Sequence, residues 1–215
     1  MFTGIVEDTG TVRERTETED GLRLRIAVDG FDDLHHGQSI SVSGVCLTVE
    51  EYGSGADAGE SDDGGTDDGD ADADWFEVFL ASETVAKTYL GEVAAGDAVN
   101  VERAMPADGR FDGHVVQGHV DTVAEVTASE RVGEDWRFTF SIPEGHDDYL
   151  VDKGSVTLDG ISLTVAEKRA EEFDVAIIPT TYELTTLSAK SVGDPVHLEV
   201  DVIAKYVENM IGGDV

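Results

Sequence analysis

Apolar and polar residues alternate with a period of two along much of this chain. The clearest runs are Leu22-Arg23-Leu24-Arg25-Ile26, Ile40-Ser41-Val42, Val120-Asp121-Thr122-Val123, Trp136-Arg137-Phe138-Thr139-Phe140 and Val196-His197-Leu198-Glu199-Val200. Each predicts a short strand with one face in a core and one in solvent. Turn signals separate them at Asp29-Gly30, Ser43-Gly44, Gly96-Asp97, Pro143-Glu144-Gly145 and Asp159-Gly160. Many short strands at close spacing favour small closed barrels, which leave no free edge. Helix is expected only in short pieces, at Phe31 to Leu34, Thr84 to Leu90, His146 to Leu150 and Thr181 to Leu187. At the end of the chain, Val202 to Ile211 places Ile203, Val207 and Met210 on one face, which predicts an amphipathic helix. A helix of that length is marginal alone, so it is expected to pack against another subunit.

The pattern is written twice. Gly160-Ile161-Ser162-Leu163-Thr164-Val165 repeats Gly44-Val45-Cys46-Leu47-Thr48-Val49 at a distance of 116 residues, and Gly118-His119-Val120-Asp121 answers Gly4-Ile5-Val6-Glu7. Gly193-Asp194 with Val196 and Leu198 echoes Gly96-Asp97 with Val99 and Val101, but at a distance of only 97 residues. The first copy therefore carries an insertion, which falls on the Gly-, Asp-, Ala- and Ser-rich stretch 53–74. The fold class expected is all-β: two homologous small closed β-barrels in tandem, followed by a C-terminal amphipathic helix. The boundaries are 1–104 for the first barrel, 105–201 for the second and 202–215 for the helix. The composition of 53–74 predicts a solvated loop. It lacks the twelve-residue spacing of a calcium loop, so no metal is expected there.

Charge adds a second constraint. Of 215 residues, 47 are acidic and 14 basic, a formal net charge of −33. Nucleic acid and anionic membrane are excluded as expected partners by such a field. The insertion supplies only nine of these carboxylates, so the excess is global, as in proteins that work in concentrated salt, where screening lengths fall to a few ångströms. A halophilic origin is the expectation. No apolar run is long enough for a membrane helix, and the start of the chain lacks the charged and apolar regions of a secretory signal. One cysteine cannot form an internal disulfide, which fits a cytoplasmic protein.

Five segments in order, Met1 to Glu7, Gly44 to Val49, Val101-Glu102-Arg103-Ala104, Gly113 to Val120 and Asp159 to Val165, resemble riboflavin synthase of the α-chain type. The similarity runs from Met1 to about Val207, broken only by the insertion. It implies a homotrimer in which each barrel binds one 6,7-dimethyl-8-ribityllumazine. One lumazine would pass a four-carbon unit to the other, giving riboflavin and 5-amino-6-ribitylamino-pyrimidinedione. The reacting pair would lie between the first barrel of one subunit and the second barrel of its neighbour. No cofactor is implied, because the pteridine ring is its own electron sink, and the sequence carries no dinucleotide or phosphate loop. Whether a lumazine synthase associates with the chain is not specified by its residues. The other reading of the resemblance is a non-catalytic lumazine- or flavin-binding protein of the same fold.

By the resemblance, His119 would be the acid–base group, suited to this by an imidazole that titrates near neutrality. Cys46 would line the pocket of the first barrel, and Ser162 with Thr164 that of the second, both on one face of a strand. Thr48 is the counterpart of Thr164. Asp201 would stabilise developing charge or place a ribityl hydroxyl, and Lys153 would bond a ligand oxygen. His114 would shape the loop before His119. The first pocket is expected to comprise Gly4, Ile5, Val6, Cys46, Leu47 and Thr48, with Phe79, Leu80, Ala81, Ser82, Glu83 and Thr84. The second is expected to comprise Gly118, His119, Val120, Ser162, Leu163 and Thr164, with Ile178, Pro179, Thr180, Thr181, Tyr182 and Glu183. Val45 departs from the smaller or polar residue common beside this cysteine, and the insertion must loop outward if the barrel is to close.

Overall fold

A computed structural model describes residues 1–54 and 74–212. All but the ends of the insertion read at 53–74 lies outside them. The alternating runs form twelve strands. In the first barrel these are β1 (Asp8–Thr18), β2 (Gly21–Ala27), β3 (Ser39–Val42), β4 (Val45–Gly53), β5 (Trp75–Ala81) and β6 (Ala98–Arg103), closed in the order β1-β2-β5-β4-β3-β6. The second contains β7 (Thr122–Val132), β8 (Asp135–Ser141), β9 (Ser155–Leu158), β10 (Ile161–Lys168), β11 (Glu172–Ile177) and β12 (Pro195–Val200), with the same circular order. All pairings are antiparallel. Register shifts at Val12/Glu14 and Val49/Glu51 recur at Val126/Ala128 and Val165/Glu167. An extra residue at such points bends a strand, which lets six strands close on a small core.

Each barrel has its own core. Leu22, Leu24 and Ile26 of β2 point inward with Phe76, Val78 and Leu80 of β5, while Phe138, Phe140 and Phe173 fill the second barrel. On the outer face of β2 the scarce bases are used more than once. Arg23 pairs with Glu50 at 2.9 Å and lies over Phe79, while Arg25 reaches Glu77 at 3.3 Å and lies over Trp75. The insertion leaves from the end of the β4–β5 hairpin, where Gly53 and Trp75 are strand partners. Strand rise puts that end on the order of 15 Å from Thr48.

The helical pieces differ in detail from the sequence reading. α1 (Ser82–Lys87) and α2 (Pro179–Leu184) begin two residues earlier than expected, each followed by a single 3-10 turn. Residues 31–34 make turns only, and a 3-10 turn occupies Asp147–Tyr149. α3 (Val202–Gly212) forms as expected, with Ile203, Tyr206, Val207, Met210 and Ile211 exposed along it. β7 starts at Thr122, so Val120 and Asp121 lie outside the strand predicted for them.

The outer faces of β6 and β12 are buried because the two barrels meet there. Asn100 Nδ2 donates to the Asp159 carbonyl at 2.9 Å, and its Oδ1 accepts from Thr186 N at 2.8 Å. At the equivalent position of the second copy, His197 Nδ1 lies 2.7 Å from the Ser43 carbonyl and Nε2 accepts from Tyr89 N at 3.0 Å. This pattern requires the neutral ring protonated on Nδ1. Tyr89 stacks on the imidazole with centroids 3.8 Å apart. Burial lowers the His197 pKa; Asp159 and the Ser43 carbonyl pull it upward and Lys190 downward, without reversing the direction. A histidine depressed in the folded state contributes stability that is present above its unfolded pKa near 6.5 and lost as pH falls through the folded value. By denaturant unfolding, the stability of the parent minus that of His197→Asn, which copies Asn100, should therefore decline from pH 7.5 to 5.

Candidate functional site

Two leading segments run side by side between the barrels. Phe2 N donates to the Val116 carbonyl at 2.8 Å, Val116 N to the Phe2 carbonyl at 3.1 Å, and His114 N to the Thr3 carbonyl at 3.1 Å. Each segment then ends on the barrel it does not belong to. Ser162 N of the second barrel donates to the Gly4 carbonyl at 2.7 Å, and Cys46 N of the first donates to the Gly118 carbonyl at 2.8 Å. Val6 packs against the core of the second barrel and Val120 against that of the first. The sequence assignment of these segments to pockets is thereby corrected: Gly4-Ile5-Val6 lies at Ser162, and Gly118-His119-Val120 lies at Cys46. Glycine is required at both crossings. Gly4 and Gly118 have φ of +75° and +77°, and a Cβ there would stand 2.6 Å from Ser162 Cβ and 2.7 Å from Cys46 Cβ.

A buried glutamate holds each crossing segment from behind. Glu102 of β6 accepts from Thr3 N at 2.7 Å, Thr3 Oγ1 at 3.1 Å and Gly4 N at 3.0 Å. Glu199 of β12 accepts from Gln117 N at 2.7 Å and from Gly118 N and His119 N at 2.9 Å each. Burial pushes the Glu102 carboxyl up to about 7 against the downward pull of these donors, and raises Glu199 for the same reason.

In front of the crossings, β4 and β10 present matching faces. Cys46 is half-buried and Thr48 exposed on β4, as are Ser162 and Thr164 on β10. Leu47, Leu80 and Leu163 point the other way, into the cores, so only their backbone can meet a ligand. Ala81, Ser82 and Glu83 are exposed at the start of α1, where Ser82 Oγ donates to the Asp20 carbonyl at 2.8 Å and Glu83 pairs with Lys87 at 2.7 Å. Phe79 and Thr84 are half-buried beside them. Ile178, Pro179, Thr180 and Glu183 are exposed at the matching place around α2, with Thr181 half-buried. Tyr182 is stacked on Trp136 at 4.4 Å.

His114 is the residue that sequence reasoning undervalued. Its Nδ1 lies 2.7 Å from Ser162 Oγ and its Nε2 3.1 Å from Thr157 Oγ1, so the imidazole bridges two hydroxyls of the second barrel. Burial lowers its pKa and the Asp201 charge pulls it partly back, which leaves a neutral ring able to exchange a proton with Ser162 near pH 7. The first barrel has a thiol at the equivalent of Ser162, and the residue after the Gly118 crossing, His119, is exposed. Asp201 stands at the start of α3, its carboxylate accepting from Ile203 N at 2.9 Å. It lines a cleft of about 520 Å3 with Tyr149, Val151 and Ser155 under the helix. Lys153, at φ +67°, donates from Nζ to the Ala166 carbonyl at 3.0 Å. A second cleft of about 820 Å3 opens at the end of the first barrel beside Ile5, Glu102 and Arg103. The faces of Cys46 and Ser162 belong to neither cleft and are open.

Two like barrels exchange their leading segments and present like faces with unlike side chains, the architecture of a tandem-barrel protein of the small-molecule-binding class. The lumazine binding domain family matches residues 3–104 and again 117–201, and the chain belongs to this family. It is 44% identical over 216 residues to a riboflavin synthase of Mycobacterium bovis, covering 98% of both chains. It is also 39% identical over 214 residues to one of Schizosaccharomyces pombe, covering 98% of this chain and 94% of the other. The crystal structure of LumP complexed with riboflavin superposes with a TM-score of 0.77 at 20% identity, over 94% of this chain and 100% of that one, a likeness of fold.

A carboxyl raised by burial binds its proton more tightly folded than unfolded, so its contribution to stability is full below about 4.5 and is lost as pH rises through about 7. Measured in constant salt, the unfolding free energy of the parent minus that of Glu102→Gln should fall from pH 5 to pH 8.

Proposed function

We propose that the protein is a riboflavin synthase, a transferase that converts two 6,7-dimethyl-8-ribityllumazines into riboflavin and 5-amino-6-ribitylamino-pyrimidinedione. The observation that carries this reading is the pairing, in one chain of the riboflavin synthase kind, of two equivalent faces with different reactive groups. Cys46 and Thr48 stand on one face, and Ser162, Thr164 and His114 on the other. A reaction between two identical molecules that meet different fates needs two sites alike in shape and unlike in chemistry. One lumazine loses a four-carbon unit and the other gains it, so the atoms of two substrates equal those of the two products and no external oxidant is consumed.

The residues divide the work as follows. Thr48 and Thr164 bind the rings, and the segments crossing from the opposite barrel, with those at the start of α1 and α2, set their orientation. Neutral His114 accepts a proton through Ser162 Oγ, and His119 serves as acid or base at the face of Cys46. Asp201 biases His114 by its charge. Holding two rings face to face supplies several kcal/mol by turning an encounter into an intramolecular step. Both faces are open in the single chain, and the apolar row Ile203, Val207 and Met210 of α3 is exposed. This supports a homotrimer in which a neighbouring subunit closes each face. A cytoplasmic, high-salt setting agrees with the acidic composition.

Anaerobic incubation with 6,7-dimethyl-8-ribityllumazine in molar KCl should give one riboflavin for every two lumazines consumed, read by chromatography. Tight binding of lumazine with no riboflavin would make the protein a carrier and sink the proposal. His114→Gln should lower kcat by about a hundredfold with little change in KM, within the ~10²–10⁴ span of acid–base catalysis. Removing residues 55–73 should leave turnover within about twofold, since the strand ends Gly53 and Trp75 are already paired well away from Thr48.

A further inference from the structure

We propose that Glu102 and Glu199 are positioning residues, each setting the ligand face of the barrel opposite to the one that carries it. The inference rests on the riboflavin synthase reading and adds to it two groups that touch neither ring. It follows from the path of the hydrogen bonds. Glu102 belongs to the first barrel, is 6% exposed, and binds the Thr3 and Gly4 amides; the same Gly4 then turns its carbonyl to Ser162 N of the second barrel. Glu199 belongs to the second barrel, is 3% exposed, and binds the amides of Gln117, Gly118 and His119; Gly118 turns its carbonyl to Cys46 N of the first. Each carboxylate is therefore linked through one glycine residue to the strand start that bears the reactive side chain of the other barrel. Beyond that residue, Val6 packs against the core of the second barrel and Val120 against that of the first.

The chemistry requires an acceptor and nothing else. Backbone N–H groups converge on each carboxylate, which offers acceptor sites on both oxygens and no donor. A glutamine of the same shape would set its NH₂ against one of those N–H groups and leave a buried donor unpaired. The segment would swing, and with it the glycine carbonyl that holds Ser162 N or Cys46 N of the opposite barrel. A displacement of about 1 Å in a group that orients a substrate can cost ~10² in rate. A carboxylate that only tied down its own barrel would disturb the site of that barrel; the crossing predicts the reverse.

The single cysteine supplies the reporter, since Cys46 lies on the face governed by Glu199 and not on that governed by Glu102. Its alkylation by iodoacetamide would be timed in the full chain at increasing riboflavin, with lumazine turnover and thermal unfolding measured on the same samples. Glu199→Gln should raise the riboflavin concentration for half-protection of Cys46 at least tenfold. Glu102→Gln should leave half-protection within twofold of the parent while lowering kcat/KM for lumazine at least tenfold. If a glutamine variant does not fold, Glu199→Asp or Glu102→Asp, which keeps the charge and shortens the reach, is read by the same criteria. Equal effects of both variants on Cys46, no effect of Glu199→Gln, or an effect of Glu102→Gln alone would overturn the proposal. So would a parent protein whose Cys46 riboflavin does not protect. A parent that protects Cys46 but makes no riboflavin would overturn the synthase reading, while the Cys46 pattern among the variants would still decide the positioning role.

Discussion

Everything that distinguishes this protein from two barrels on a string depends on the exchange of backbone hydrogen bonds between the Gly4 carbonyl and Ser162 N and between the Gly118 carbonyl and Cys46 N. Those contacts bring a loop of one barrel onto a strand of the other at a distance that only glycine tolerates. They also determine what must lie behind them. Each glycine whose carbonyl faces the neighbouring barrel turns its own N–H toward the barrel it leads into, where water is excluded, so a strong acceptor has to be buried there. Glu102 and Glu199 meet that need, at the energetic cost seen in their raised pKa values.

The same frame explains how duplicate sites acquire different chemistry. Cys46 and Ser162 occupy one position of the repeat, and their backbone surroundings are matched bond for bond. Their side-chain surroundings are not. The connection between the barrels brings His114 onto Ser162 and Thr157, whereas among the described residues Cys46 has no such imidazole partner. Difference between the halves enters through the segments that join them, while the barrels themselves stay alike.

Much of the fold was legible because burial and periodicity coincide. Leu22, Leu24 and Ile26 alternate with arginines on a strand that is wet on one side, and the repeat of Gly44 to Val49 at Gly160 to Val165 shows two such units. The crossing was not legible, because covalent attachment says nothing about which barrel a leading segment touches. His114 was assigned only to loop shape, since its role comes from a hydroxyl far along the chain and has no echo in the first copy. The two glutamates were hidden among 47 acidic residues. A signal for them did exist: each follows two apolar residues that flank one neutral hydrogen-bonding residue, Val99-Asn100-Val101 and Val196-His197-Leu198, and the two stand 97 residues apart. A carboxylate repeated inside two strands that are buried on both faces calls for buried donors.

Asn100 and His197 show how little the two halves of the barrel contact differ. An amide and a neutral imidazole are both two-pronged connectors, one prong giving a hydrogen and the other receiving one, and here they span equivalent pairs of backbone groups, Asp159 and Thr186 in one case and Ser43 and Tyr89 in the other. To the backbone the pair is symmetric although the residues are not. That symmetry depends on a single proton. An imidazolium gives hydrogen from both prongs, so the Tyr89 N–H would face another N–H, and no equivalent event exists at Asn100. The match between the two halves of this contact is thus a property of its protonation state as well as of its sequence.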